Sequence, residues 1–247
     1  MKGSILQPTY LPWLGYFDMI DVADIYVVFD HVQFVKKSWQ QRNRIKTHNG
    51  ELMLTVPVKK ATLNTPIKDI EIHDRKVLSN HWKTITLAYK NSLYFKEYRG
   101  QFERIYNNKY VFLRDLNIDI IKMICEILDI KKEIIFSSNF MPVNENKKSC
   151  KTERVLNLCK KIGIDILYDA NGASQFLDSK MFYKERIDLQ FQNLKYPTYK
   201  QMHGKFIPYL SVIDLIFNEG HNSLNIIRQA RNYQRYDDLV NKVNKNN

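Results

Sequence analysis

Pro8 and Pro12 stand four residues apart in the segment Gln7-Pro8-Thr9-Tyr10-Leu11-Pro12. Neither can donate a backbone hydrogen bond, and each drives the residue before it, Gln7 or Leu11, toward extended geometry, so no helix can run through this stretch. Ser4-Ile5-Leu6 ahead of it has room for a short strand only, and a helix can begin only beyond Pro12. From there Trp13, Phe17 and Ile20 fall on one helical face. Asp21 and Asp24 then lead into Ile25-Tyr26-Val27-Val28-Phe29, an apolar strand that stops at Asp30. The first thirty residues therefore read as strand, turn, helix, strand.

The alternation continues along the chain. Arg42 to Lys46 and Glu51 to Val58 flank His48-Asn49-Gly50, a hairpin signal. Ile67 to Ile72 alternates apolar and polar residues and predicts a half-buried strand. Helical spacing follows near 77–90, 95–107 and 111–129, and Ile134-Ile135-Phe136 predicts a buried strand entering Ser137-Ser138. Residues 139–151 are polar and predict a mobile loop. Thr152 is expected to cap a helix that runs to Lys161 and closes at Gly163. Strands at Ile164 to Tyr168 and Ile187 to Phe191 bracket a turn and short helix from Gly172 to Asp178. A last helix opens at Ser211, with Asp214 three positions on. The pattern predicts a single α/β domain over residues 1–247, mainly parallel, with a β-hairpin insertion, a helical subregion at 77–130, a helical C-terminal part and a frayed tail at 236–247.

Composition narrows the partners. The 38 Lys and Arg against 26 Asp and Glu give a net charge of +12, and 44% hydrophobic residues are ample for a core. No apolar run approaches the ~18 residues that span a bilayer, and the N-terminus has no secretory h-region. Cys125, Cys150 and Cys159 show no paired spacing, which fits reduced thiols in a cytoplasmic protein and predicts neither a disulfide frame nor a zinc site. The charge is uneven. Residues 1–30 carry −3, residues 31–60 carry +6, and the 217 residues after position 30 carry +15 together. Such a basic segment suits a phosphate-bearing small molecule, an acidic protein or a nucleic acid.

Several groups could carry chemistry. In an open α/β sheet ligands sit at the carboxyl ends of strands, so Gln7, Tyr10, Trp13, Gly15 and Tyr16 in the first strand-to-helix turn are candidate binding residues. Asp30 and His31 end the second strand as a possible acid/base pair, with Gln33 just beyond. Lys36, Trp39, Arg42, Asn43 and Arg44 combine cations, an amide and a flat ring, a set that suits phosphate or diphosphate. Ser137 and Ser138, and Ser211 with Asp214, lie where an α/β site collects residues, although each also fits capping. No nucleophile elbow, Walker loop, glycine-rich dinucleotide motif or metal cluster is visible, so no metal is expected.

Gln7-Pro-Thr-Tyr-Leu-Pro-Trp-Leu-Gly-Tyr-Phe17, Asp30 with Gln33, Trp39, Arg42-Asn43, Leu54-Thr-Val-Pro57, Ser137-Ser138 and Ser211-Val-Ile-Asp214 together resemble the WbqC-like family across residues 4–225. The resemblance implies a cytoplasmic transferase of O-antigen and lipopolysaccharide biosynthesis that acylates or aminoacylates the amine of a nucleotide-linked amino sugar. The donor would be a thioester of coenzyme A or of an acidic acyl or peptidyl carrier protein, matched by the basic surface. The strand, proline turn, aromatic-glycine helix and Asp-ended strand also look like the start of a Rossmann-like, nucleotidylyltransferase-type core. Such a core carries a His-x-Gly-His turn where this chain has Trp13-Leu14-Gly15-Tyr16, so the departure counts against adenylyl transfer. An ATP-using ligase and a non-catalytic module for a carrier protein or nucleic acid are the alternatives.

Overall fold

A computed structural model describes residues 1–141 and 150–235. Most of the predicted loop at 139–151 and the predicted frayed tail at 236–247 therefore lie outside the described residues. The elements are β1 (Lys2–Leu6), α1 (Leu14–Val22), β2 (Ile25–Val28), β3 (Arg42–Thr47), β4 (Gly50–Thr55), α2 (Lys76–Tyr89), α3 (Phe95–Asn107), α4 (Leu113–Ile127), β5 (Glu133–Phe136), α5 (Lys151–Ile162), β6 (Ile166–Asp169), α6 (Ser179–Lys184), β7 (Asp188–Gln192), α7 (Val212–Glu219), α8 (Ser223–Ala230) and β8 (Tyr233–Arg235).

Six strands form one sheet in the order β5-β2-β1-β6-β7-β8. The first five are mutually parallel and β8 is an antiparallel edge. Numbered along the chain, the parallel strands run third, second, first, fourth, fifth. This is a Rossmann-like order, and its reversal falls between β1 and β6, so the crevice lies at their carboxyl ends. Buried side chains of α1 and α4 cover one face of the sheet, and those of α5 and α6 cover the other. The hairpin β3–β4 stands apart as a two-stranded sheet, in register from Arg42 opposite Thr55 to Thr47 opposite Gly50. Gly50 takes a φ of 99°, the left-handed geometry the turn needs.

Two expectations are corrected. Ile67 to Ile72 is not a strand. Ile67–Asp69 is a 3₁₀ turn, because the amides of Ile67 and Lys68 bond the carbonyls of Val32 and Asp30, and no neighbouring strand offers a ladder. Its isoleucines are buried all the same, which is why the alternation looked strand-like. Thr152 does not cap α5. Cys150 does, in a reciprocal box with Glu153, while the Thr152 hydroxyl donates to the Phe176 carbonyl. Helix α8 falls in the predicted helical C-terminal part, while the edge strand β8 has no counterpart in the sequence pattern.

Helix α8 is fixed to α1 by charge. The Arg231 guanidinium donates to Asp18 at 2.6 Å and also to Asp21, and Arg228 reaches Asp21 at 2.8 Å and 2.9 Å. Gln192 at the end of β7 donates to Asp18 at 2.7 Å. Burial pushes the Asp21 carboxyl up, but the two guanidiniums outweigh it and hold it below its ordinary value. No helix among the described residues is long and apolar enough to cross a membrane.

Candidate active site

The parallel order carries Asp30 and Ser137 to the same edge, because Val28 of β2 pairs with Phe136 of β5 and both strands end there. Asp30, His31 and Ser137 are fully buried. Ser137 Oγ accepts from the Asp30 amide at 3.1 Å, donates to Asp30 Oδ1 at 3.1 Å and lies 2.7 Å from His31 Nδ1. With its one proton directed to the carboxylate, Ser137 receives the His31 Nδ1 proton, which fixes the imidazole tautomer. Ser138 donates its amide to Asp30 Oδ1 at 3.0 Å and its hydroxyl to Oδ2 at 2.9 Å. Arg114, in the first turn of α4, adds an ion pair to Oδ2 at 3.1 Å. Four donors thus hold both oxygens of Asp30. The carboxylate is an anchor for the serines and for Arg114, and His31 is the group whose ring the anchor orients.

A second set surrounds the end of β1. Gln7 Oε1 accepts from Gln40 at 2.8 Å, the Tyr10 amide bonds the Trp39 carbonyl at 3.0 Å, and Asn117 donates to the carbonyls of Pro8 and Gln40 at 3.0 Å and 2.8 Å. These bonds pin the 36–42 segment against the first strand-to-helix turn. Gln33 and Lys36 are exposed on its outer side. Arg42 and Arg44 share one face of β3 and are half-buried. Arg44 is engaged, donating to Glu51 at 2.7 Å and to the Tyr209 carbonyl at 3.3 Å. Arg42 makes no ion pair among the described residues, and its buried Nε has no hydrogen-bond partner there.

A third set lies where α1 begins. The Trp13 ring stacks on Tyr196 at 6.3 Å and approaches Tyr209 at 6.0 Å. Gly15 makes this possible, since a Cβ there would stand 2.4 Å from the indole. Ser211 caps α7 and its amide bonds the Arg44 carbonyl. No side chain caps α1.

Four predicted binding residues face the interior. Tyr10 is buried, with its hydroxyl 2.8 Å from His81 Nδ1 and 2.9 Å from the Tyr106 hydroxyl. Burial, with Tyr106 beside it, pushes the Tyr10 phenol well above its ordinary value, and burial pushes the His81 imidazole down to about 4. Tyr16 donates to the Gln7 carbonyl and meets Tyr26 at 2.5 Å. Asn43 donates to the carbonyl of Leu11 at 2.7 Å, and Leu11 holds a φ of 45°. Its amide stabilises the strained turn between the prolines. Asp214 is fully buried and accepts from Tyr89 at 3.0 Å and Tyr199 at 2.9 Å, and burial raises its carboxyl. Beside it Lys46 is buried too, donating to Gln201 at 3.0 Å and to the Lys205 carbonyl at 2.6 Å, which ties the long 193–211 connection to the hairpin.

Sequence reasoning missed Arg114 and Asp169. Nothing local marks Arg114, because only the fold brings α4 to the β2 edge. Asp169 is the last residue of β6, on the crevice, and accepts one hydrogen bond, from the Ala170 amide at 2.7 Å. Burial lifts its carboxyl to about 7, only partly offset by that amide. Its signal was present, since an acid closing a strand is the same feature that singled out Asp30.

The fold and this edge define a Rossmann-like α/β protein with polar residues gathered at the carboxyl ends of its parallel strands, the Asp30 cluster at β2 and β5 and Asp169 at the β1/β6 reversal. Comparison with known proteins gives the family. The profile of the WbqC-like protein family matches residues 7–226, and the chain belongs to that family. It is 31% identical over 233 residues to "Uncharacterized protein Rv1507c" of Mycobacterium tuberculosis (strain ATCC 25618 / H37Rv), covering 93% of this chain and 99% of the relative. No solved structure matches.

Proposed function

We propose that the protein is a transferase that moves an acyl or aminoacyl group from a thioester to the amine of a nucleotide-linked amino sugar of surface polysaccharide biosynthesis. The observation that carries this reading is the chain His31–Ser137–Asp30, with 2.7 Å and 3.1 Å links, at the carboxyl edge of the sheet. Ser137 holds His31 Nδ1 as the protonated nitrogen, so Nε2 is the position through which a proton moves. The imidazole takes a proton from the attacking amine as the C–N bond forms. The C–S bond breaks, and the thiolate receives that proton and leaves with the coenzyme A or carrier-protein arm.

Because both Ser138 donors and the Ser137 hydroxyl are directed to Asp30, the developing oxyanion is assigned to the uncapped amino end of α1. Arg42, with no carboxylate partner among the described residues, binds the diphosphate. Membership in the WbqC-like family supports the reading. An acidic carrier protein as donor would match the net charge of +12.

The test is direct. The protein is incubated with UDP-, dTDP- and GDP-linked amino sugars and with coenzyme A thioesters, while thiol release and product mass are followed. Amide product that disappears in His31→Ala supports the reading. Product that forms only with ATP would move the protein to the ligase class. Absence of thiol release with every pair, carrier-bound thioesters included, would leave the binding-module alternative.

A further inference from the structure

We infer that Trp39 is a stacking platform for the nucleobase of a nucleotide ligand, with Arg42 as its phosphate anchor. This rests on the nucleotide-linked substrate of the reading above and adds to it where the nucleotide sits. Trp39 is 49% exposed, unusual for so large a ring. One side of it is occupied by the Arg44 guanidinium, 5.7 Å from the ring centroid. That guanidinium cannot swing away freely, because Glu51 and the Tyr209 carbonyl hold it at 2.7 Å and 3.3 Å. The ring is therefore clamped from the protein side, and its backbone is clamped as well through the Tyr10 amide. A preorganised, half-exposed indole costs little further ordering when a flat partner stacks on it.

The neighbouring residues say which flat partner fits. Arg42 is two residues before Arg44 on the same strand face, so the two side chains leave the backbone roughly 7 Å apart. Arg44 is spent on Glu51 and on holding Trp39, whereas Arg42 is half-buried with no ion pair among the described residues; the buried Nε of each arginine lacks a hydrogen-bond partner there. A ring held by Arg44, with a second cation one strand period along the same face, matches a base and its phosphates. A free sugar would use the ring but leave Arg42 uncompensated. Tyr209 continues the surface, 53% exposed, held in left-handed geometry at a φ of 59° and packed on Tyr196 at 4.6 Å. The strained Tyr209 backbone also presents the carbonyl that fixes Arg44.

Binding is measured by calorimetry on the full chain with UDP, GDP, dTDP, inorganic pyrophosphate and glucosamine, without any acyl donor. At least one nucleoside diphosphate is expected to bind wild type. Trp39→Ala should weaken it by about tenfold or more, Trp39→Phe by much less, and pyrophosphate affinity should be unchanged in both. Arg42→Met should weaken nucleotide and pyrophosphate together. Circular dichroism confirms that each variant is folded, and the exposed position of Trp39 makes both aromatic variants tolerable. The inference is overturned if none of the three nucleotides binds wild type, if Trp39→Ala leaves nucleotide affinity intact, or if it weakens pyrophosphate as much as nucleotide. It is also overturned if Trp39→Ala weakens glucosamine and spares nucleotide. Trp39-dependent nucleotide binding in a protein that consumes no thioester would sustain the platform and sink the transfer reading. Turnover with Trp39-independent binding would do the reverse.

Discussion

Ser137 Oγ stands 2.7 Å from His31 Nδ1 inside a fully buried site, and because its own proton goes to Asp30 the contact places the imidazole proton on Nδ1. Replacing the hydroxyl with hydrogen in Ser137→Ala removes the acceptor of the Asp30 amide, a donor to Asp30 Oδ1 and a partner of His31 Nδ1 together. The fold should lose about 1–3 kcal/mol, the usual penalty for stranding buried polar groups. Turnover should fall far more than nucleotide affinity, because Arg42 and the β3 strand are untouched. Measuring kcat and KM separately checks this. An unchanged kcat with an intact fold would remove His31 orientation from the mechanism.

Gly15 governs the aromatic cluster at the head of α1. The Cβ of Gly15→Ala would lie 2.4 Å from two atoms of the Trp13 indole, closer than any real contact. The ring must leave its stack on Tyr196, and the loss should exceed the ~0.5–1 kcal/mol that alanine contributes to a helix relative to glycine. A net destabilisation of about 1–3 kcal/mol is expected. The tryptophan emission should shift to the red as Trp13 enters water. An unshifted spectrum with unchanged stability would show that the indole has another resting place.

Arg231 is the cation paired with Asp18 and shares Asp21 with Arg228. Asp18 is fully buried and Asp21 nearly so, and Arg231 bonds both. Arg231→Ala should cost about 3–5 kcal/mol at neutral pH, since breaking a buried pair leaves an uncompensated charge. The sign of the pH effect follows from Asp21, whose carboxyl is lowered in the folded protein by Arg228 and Arg231 acting against burial. A lowered carboxylate contributes stability above its unfolded value of roughly 4 and loses it as pH falls through the folded value. The gap in urea midpoint between wild type and variant should therefore be largest at pH 6–8 and shrink below about pH 4. A gap that is constant with pH would assign the loss to packing of the arginine stem.

The α/β alternation, the hairpin and every parallel strand were legible because each rests on local pattern, whether proline placement, apolar runs or turn residues. Ile67 to Ile72 misled for a physical reason, since alternation reports which side chains are buried and says nothing about whether a neighbouring strand exists to accept the amides. The meeting of Asp30 with Ser137 and Ser138 depends on β5 lying beside β2, which strand order alone supplies. Tyr10 and Asp214 look like site residues in sequence because Tyr10 lies in the first strand-to-helix turn and Asp214 in the first turn of a helix, places where an α/β site collects residues. In the fold each is satisfied inside, Tyr10 by His81 and Tyr106, and Asp214 by Tyr89 and Tyr199. Arg114 was illegible, because its partner is 84 residues away.

Asp169 offers a test of the crevice itself. Its carboxyl is raised to about 7 by burial, with only the Ala170 amide opposing that rise. The ordinary value of an unfolded aspartate is roughly 3.9. Between about pH 4 and 7 the unfolded chain is ionised at this position while the folded protein keeps its proton, so stability falls as pH rises through that window and stays lost above it. Asp169→Asn carries no titrating group and retains an acceptor oxygen for the Ala170 amide. The variant should gain on wild type steadily from pH 4 to 7 and hold a constant advantage from pH 7 to 8. Urea midpoints at pH 4.5, 6 and 8 measure this, with the Arg231→Ala series as an opposite-signed control. A flat difference would mean that the carboxylate is already ionised and solvated at the crevice. A rising one would establish a group poised near neutrality at the strand reversal, and loss of thioester turnover in the same variant would then add it to the proton carriers of the proposed reaction.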